Sequence, residues 1–240
     1  MKKRRAQGIL EVVIAIYIAV VGVLSIMNLV ISSMKVQEFN HNMLIATNLA
    51  REGVEIVRNI RDSNWIRGSN WNEGLLPPGT HGQNRSFIIN NNYLFGDKSG
   101  YNLIYFDSDW DNCIDSGDLS SCKIWLVSRD LVDSKNSKIN YAQNIENLLA
   151  NGCDFSGSGS DCVISNTNFY RMIYIYSICY NPNQTLLRDR EFINKSAKID
   201  CNAMISGSTE IGLYVISKVA WEKGSSDKTI TISERIYNWR

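Results

Sequence analysis

Histidine is almost missing from this 240-residue chain, which carries only His41 and His81. With His41 on the expected helix stalk and His81 in a loop, the usual base for activating a nucleophile has no good candidate, and a catalytic thiol is a weak reading. There is no CxxC pair to suggest a zinc ribbon or a redox dithiol. No GxSxG elbow, Ser/His/Asp grouping or paired-carboxylate context separates itself from background. These absences argue against an enzyme and leave an anchored hydrolase as a distant reading. Charge is equally uninformative about partners: 25 cations face 24 anions, a net +1, and no basic stripe marks a nucleic-acid surface. Only three prolines occur, and Pro77-Pro78-Gly79 is the clearest break in the chain.

What is present lies first at the N-terminus. Lys2, Lys3, Arg4 and Arg5 form a cationic cluster, Ala6 follows, and Gln7-Gly8-Ile9-Leu10-Glu11 leads into an apolar run. From Val12 to Ile31 the only polar side chains are Tyr17, Ser25 and Asn28. At about 1.5 Å per residue, such a stretch spans roughly 30 Å, the thickness of a bilayer core. Glu11 stands at its threshold, although a carboxylate at bilayer depth costs about 2.5 to 3.5 kcal/mol even on lenient scales.

Three readings of this segment compete. A secretory signal peptide has a shorter apolar core, with small residues at its end, and here Ile31 to Ser33 is a poor cleavage site. A signal anchor fits the length and, by the positive-inside rule, would keep the cations in the cytoplasm and send the rest of the chain across. It leaves Glu11 unexplained. In the third reading the cations are a removable leader, cut before the apolar helix instead of after it.

The third pattern resembles the type IV prepilin family, including its minor-pilin and pseudopilin branches. In that family a basic leader ends in a small residue, and glutamate is the fifth residue of the mature hydrophobic helix. Cutting between Ala6 and Gln7 makes Glu11 that fifth residue. Gln7-Gly8-Ile9-Leu10-Glu11-Val12 is similar to the Gln-Ser-Leu-Ile-Glu-Val start common in the family, with Ala6 where glycine is usual. The resemblance implies a membrane prepilin peptidase that removes residues 1–6 and methylates Gln7. It also implies other pilin or pseudopilin subunits as partners, a single-pass placement in a bacterial cytoplasmic membrane with the C-terminal domain outside, and later residence in a filament. Glu11 would approach the α-amine of a neighbouring subunit, since pairing offsets the cost of each charge in lipid. Removing four cations leaves 21 against 24 anions, so the mature chain would carry −3. Whether the filament is a pilus, a competence apparatus or a type II secretion pseudopilus is left open by the sequence. The alternative is a signal-anchored extracytoplasmic binding or adhesion protein that forms no filament.

The fold class expected is α+β and pilin-like: a long N-terminal helix over residues 7–62, with its membrane segment at about 9–31, packed on a β-rich head over residues 63–240. Leu44, Leu49, Ile56 and Ile60 make an apolar stripe that Val54 and Val57 widen. Glu52, Glu55, Arg58 and Arg61 read as a solvated face with i,i+3 pairs, and Gly53 as a soft point costing about 1 kcal/mol. Strands are expected at Ser86 to Ile89, Tyr101 to Phe106, Lys123 to Ser128, Phe169 to Tyr180, Leu213 to Trp221 and Thr229 to Ser233. A short helix is expected at Ile139 to Ala150.

Six cysteines, all beyond the apolar run, fit a domain outside the cytoplasm. Their spacing favours two small clips, Cys113 to Cys122 and Cys153 to Cys162, and one longer bridge, Cys179 to Cys201. Asp107, Asp109, Asp111, Asp115 and Asp118 occupy positions 1, 3, 5, 9 and 12 of a loop resembling the Ca²⁺ loops of EF-hand and dockerin-like proteins. Asn112 replaces the turn glycine and Asp118 the bidentate glutamate. Two readings stand: a Ca²⁺ site, or an acidic hairpin tip whose carboxylates face water. Trp65, Trp71 and Trp110 read as core residues before exposed ones. Asn-x-Ser/Thr triplets begin at Asn84, Asn183 and Asn194, a frequency that chance supplies in so asparagine-rich a chain.

Overall fold

The computed structural model describes residues 3–76, 86–90, 102–106, 122–129, 138–143, 145, 149, 153, 155, 162–186, 189–195, 200–223 and 226–238. Pro77-Pro78-Gly79 therefore lies outside the described residues. The chain divides into two compact units, Met1–Ile45 and Ala46–Arg240. Helix α1, Lys3–Arg67, contributes to both.

In the first unit the helix presents its apolar side chains to the outside. Ile9, Leu10, Leu29 and Met34 are 69%, 65%, 71% and 64% exposed, and the large hydrophobic residues between them are exposed as well. Ser25 hides its hydroxyl by donating to the carbonyl of Val21 at 2.8 Å.

The second unit contains the α1 residues that pack on a sheet. Ala46, Leu49, Ala50, Val54, Val57, Arg61, Asn64 and Trp65 are buried, recurring every three or four residues as one face of a helix must. Ile56 is buried and Ile60 packs against the same core, but Leu44, expected on the stripe, is 63% exposed and belongs to the other unit. The helix outruns the expected end at residue 62 because its stop signal is Gly68, in the left-handed region at φ 76°. Gly68 N–H donates to Trp65 and Ser69 N–H to Asn64, the paired bonds that close a helix C-terminus. The Asn64 side chain then donates to the carbonyls of Trp71 and Glu73, folding the following turn beneath the helix.

The strands are β1 (Ser86–Asn90), β2 (Asn102–Phe106), β3 (Lys123–Arg129), β4 (Lys138–Gln143), β5 (Cys162–Tyr180), β6 (Glu191–Asn194), β7 (Thr209–Lys223) and β8 (Ser226–Tyr237), with a short helix α2 at Cys201–Met204. Every strand pairing is antiparallel. The 19-residue β5 is the axis of the sheet. β7 runs along one of its edges, while β3, β1 and β6 succeed one another along the other. β8 closes a hairpin with β7, and β2 and β4 pair with β1 and β3.

The six expected strands are present, five of them longer than expected and the sixth described over Asn102–Phe106. The helix expected at Ile139 to Ala150 is contradicted over its first part: Lys138–Gln143 is strand β4, in register with β3 through Trp125 opposite Ala142 and Val127 opposite Asn140. Ile139 and Tyr141 at alternate positions suit a pleated surface, and pairing with β3 overrides the weak helical pattern. Beyond it, among the described residues, Leu149 is helical and its N–H donates to the Ile145 carbonyl at 3.0 Å, an i,i+4 bond.

One face of the sheet meets α1. Val54 and Val57 pack against Phe87, Ile89, Ile173, Ile175, Leu213 and Val215. Each such side chain contributes about 1.5 to 3 kcal/mol by leaving water. A smaller cluster joins Trp125, Val127, Ala142 and Ile164 to the Cys153–Cys162 clip. The architecture is thus α+β and pilin-like: one long N-terminal helix whose C-terminal part lies on an antiparallel sheet.

Candidate functional site

The residues singled out at the N-terminus lie on α1. Ala6 and Gln7 fall within its helical backbone, and Glu11 is exposed. Val12 to Met34 contains no charged residue and would cover about 35 Å as a helix. An 18-residue window of α1 carries a mean hydropathy of 2.7, with none of that window buried, so the helix is long and apolar enough to cross a membrane once. Glu11 is consequently a lone carboxylate at the edge of an uncovered apolar cylinder.

In the head, a buried polar knot fastens the helix to the sheet. Arg171, only 1% exposed, rises from β5 and donates to the Glu52 carboxylate at 2.7 Å and to the Leu49 carbonyl at 3.1 Å. Gln143, fully buried at the end of β4, donates through Nε2 to the carbonyls of Cys122 at 2.8 Å and Arg171 at 2.5 Å. Its Oε1 accepts from Ile89 N–H at 3.2 Å. One guanidinium and one carboxamide therefore tie α1 to β1, β3, β4 and β5, with every buried polar partner engaged as a low-dielectric site demands.

Gly53 lies beside this knot. A Cβ there would stand 2.5 Å from Ser217 Oγ and 3.3 Å from Ile173 Cδ1, so the glycine is a contact point between helix and sheet. The expectation of a merely soft helix is corrected by that geometry. The solvated-face reading of Glu52, Glu55, Arg58 and Arg61 is corrected too. The Glu55–Arg58 i,i+3 pair exists, but Arg58 also reaches Glu234 on β8. Its hydrogen bonds to Glu55 and then Glu234 hold its pKa above the ordinary arginine value. Arg61 is buried, donates to Asp62 at 2.8 Å, and lies 4.6 Å over the ring of Trp65, itself a core residue. Sequence spacing cannot distinguish a pair made along the helix from one made across to a strand.

Two cysteine bridges have the predicted connectivity, Cys153–Cys162 and Cys179–Cys201. Cys122 is disulfide-bonded, while Cys113 lies outside the described residues. So do the candidate Ca²⁺ ligands Asp107, Asp109, Asp111, Asp115 and Asp118, together with Trp110, His81 and Asn84. Among the described residues no group of three His, Cys, Asp or Glu side chains converges on a metal position.

Arg171 and Gln143 escaped the sequence reading, yet a signal for the first existed. Tyr170-Arg171-Met172-Ile173 places one charge inside an apolar run, the same anomaly that marks Glu11. Comparison with known proteins finds no family, no characterised protein and no solved structure that matches the chain.

Proposed function

We propose that the chain is a non-enzymatic structural subunit of the pilin kind, a minor pilin or pseudopilin. The observation that carries this reading is the uncovered apolar helix surface from Ile9 to Met34, headed by the single carboxylate of Glu11. Such a surface is unfavourable in water and calls first for lipid and then for other helices of its own kind. The cationic residues before Ala6 act as a cytoplasmic leader, and the head is exported. Prepilin peptidase cuts the Ala6–Gln7 bond and methylates Gln7, which places the new α-amine four residues from Glu11.

In an assembled array Glu11 of one subunit pairs with the α-amine of another, and a mismatched register leaves both charges unpaired in low dielectric. The head, at about 175 residues, is large for a densely packed major subunit, which supports a tip or low-abundance position. Mass spectrometry of the mature N-terminus tests the proposal. N-methylglutamine at Gln7 is the expected result. An intact Met1 would point to a signal-anchored binding protein, and a start near Met34 to an ordinary secreted one; either would overturn the pilin reading.

A further inference from the structure

We infer that Asn183 is an acceptor for N-linked glycan, attached outside the cytoplasm; the inference rests on the export of the head proposed above. The triplet Asn-x-Ser/Thr occurs three times, and the structure separates two of its instances. Asn194 is fully buried at the end of β6, in register with Ser177 of β5, where no transferase could reach its carboxamide. Asn183 lies in the turn after β5, exposed, as is Thr185. Gln184, the middle residue, is not proline, so the triplet satisfies the acceptor rule.

The turn is built so that the Asn183 side chain is not needed to hold it. Asn181, 3% exposed, does that work: its Oδ1 accepts from Asn183 N–H at 2.9 Å, and its own N–H donates to the Arg190 carbonyl at 2.7 Å. Arg190 Nε donates in turn to the Gln184 carbonyl at 3.0 Å. The segment is thus pinned through its backbone. Across from it, Gly207 occupies a left-handed position at φ 82°, and even a Cβ there would come within 3.2 Å of Asn183 Nδ2. The carboxamide thus lies beside a neighbour that presents no side chain to it.

The co-substrate is an oligosaccharide linked to a membrane lipid through diphosphate. Asn183 Nδ2 bonds to the anomeric carbon as the bond from that carbon to the diphosphate oxygen breaks. The oxygen keeps the electron pair, and the amide gives up one proton to the transferase base.

The test is peptide mapping of the full-length protein isolated from its native cells. A sugar mass is expected on the peptide carrying Asn183, and none on the peptide carrying Asn194. Enzymatic release in heavy-oxygen water should convert Asn183 to labelled aspartate. Asn183→Gln and Thr185→Val should each abolish the increment while leaving the melting temperature unchanged. An unmodified Asn183 peptide, or a sugar mass that survives Thr185→Val, overturns the inference. Protease accessibility of the head on intact cells separates the two failures. An accessible head with bare Asn183 defeats this inference alone, whereas an inaccessible head defeats the export reading and this inference with it.

Discussion

Arg171 of β5 and Glu52 of α1 stand 119 residues apart in sequence and meet at 2.7 Å, the arginine buried and the glutamate 38% exposed. The asymmetry sets the energetics. Removing the arginine empties a large buried volume and leaves the Glu52 side of the contact without its partner; removing the glutamate charge leaves a buried cation that still holds the Leu49 carbonyl. Arg171→Ala should therefore cost about 3 to 5 kcal/mol. Glu52→Gln should cost about 1 to 2 kcal/mol, because solvent already screens its carboxylate. Denaturant melts of the full chain in detergent check both values, and equal costs would show that the charge of Glu52 matters more than its exposure suggests.

Gly53 and Ser217 provide an independent test of how closely helix and sheet approach. Ser217 is fully buried, and its hydroxyl finds no partner among the described residues. Ser217→Ala should accordingly be neutral or stabilise by up to about 1 kcal/mol. Gly53→Ala gains about 1 kcal/mol of helix propensity but forces a methyl against Ser217 Oγ and Ile173, at an overpacking cost of about 1 to 3 kcal/mol. The net effect should be mild destabilisation. The double variant should recover most of that loss, and a double-mutant cycle with zero coupling would place the strain elsewhere.

The same contacts explain what was readable in the chain and what was not. Alternating runs such as Thr229 to Ser233 declared their strands, and the charge-free run after Glu11 declared a membrane-length helix, because both signals are local periods. β4 was missed because six residues hold too little of either period, and its strand identity comes from pairing with β3. The roles of Glu52, Arg58 and Arg61 were missed because i,i+3 spacing is the same whether a side chain turns to its own helix or to a strand. The end of α1 was legible in Gly68, but only to a reader who took the glycine as a terminator rather than a loop residue.

Gly212 of β7 is a stricter constraint than Gly53. A Cβ there would lie 2.7 Å from the carbonyl oxygen of Ile236 and 3.1 Å from Tyr237 Cα, both backbone atoms of the neighbouring strand. No rotamer change relieves such a clash. On the same part of the sheet, Arg235 and the Tyr237 hydroxyl both donate to Glu191 of β6, at 2.6 and 2.9 Å. Gly212→Ala should destabilise by about 1 to 3 kcal/mol, which lowers the melting temperature by about 2 to 4 °C per kcal/mol in a domain this size. Hydrogen exchange should rise first in β8, and a melt unchanged from the parent would contradict the backbone approach.

The two described disulfides should differ in worth. Cys179–Cys201 closes a separation of 22 residues and Cys153–Cys162 one of 9. In the chain-entropy account the longer loop constrains the unfolded state more, by about 0.8 kcal/mol from the logarithm of the ratio. The longer bridge also ties β5 to α2 beneath buried Cys179 and Cys201. Replacing both cysteines of that pair by alanine should cost about 3 kcal/mol, more than the same change at Cys153 and Cys162. Paired thermal melts under oxidising conditions check the order, and a larger loss from the small clip would show that local packing around Trp125 outweighs loop length.

Glu11 offers the sharpest separation between anchoring and assembly. Glu11→Val removes a group that costs about 2.5 to 3.5 kcal/mol at bilayer depth, so insertion should be unchanged or improved. If the carboxylate serves to pair with the α-amine of another subunit, incorporation into filaments should instead fall, by about tenfold or more for a loss of ~1.4 kcal/mol. The two readouts move in opposite directions, which no general destabilisation of the chain reproduces. Membrane fractionation and filament shearing on one culture measure both quantities. Wild-type incorporation by the valine variant would leave Glu11 as a carboxylate at the headgroup level, and the pairing proposal would fall while the membrane helix stood.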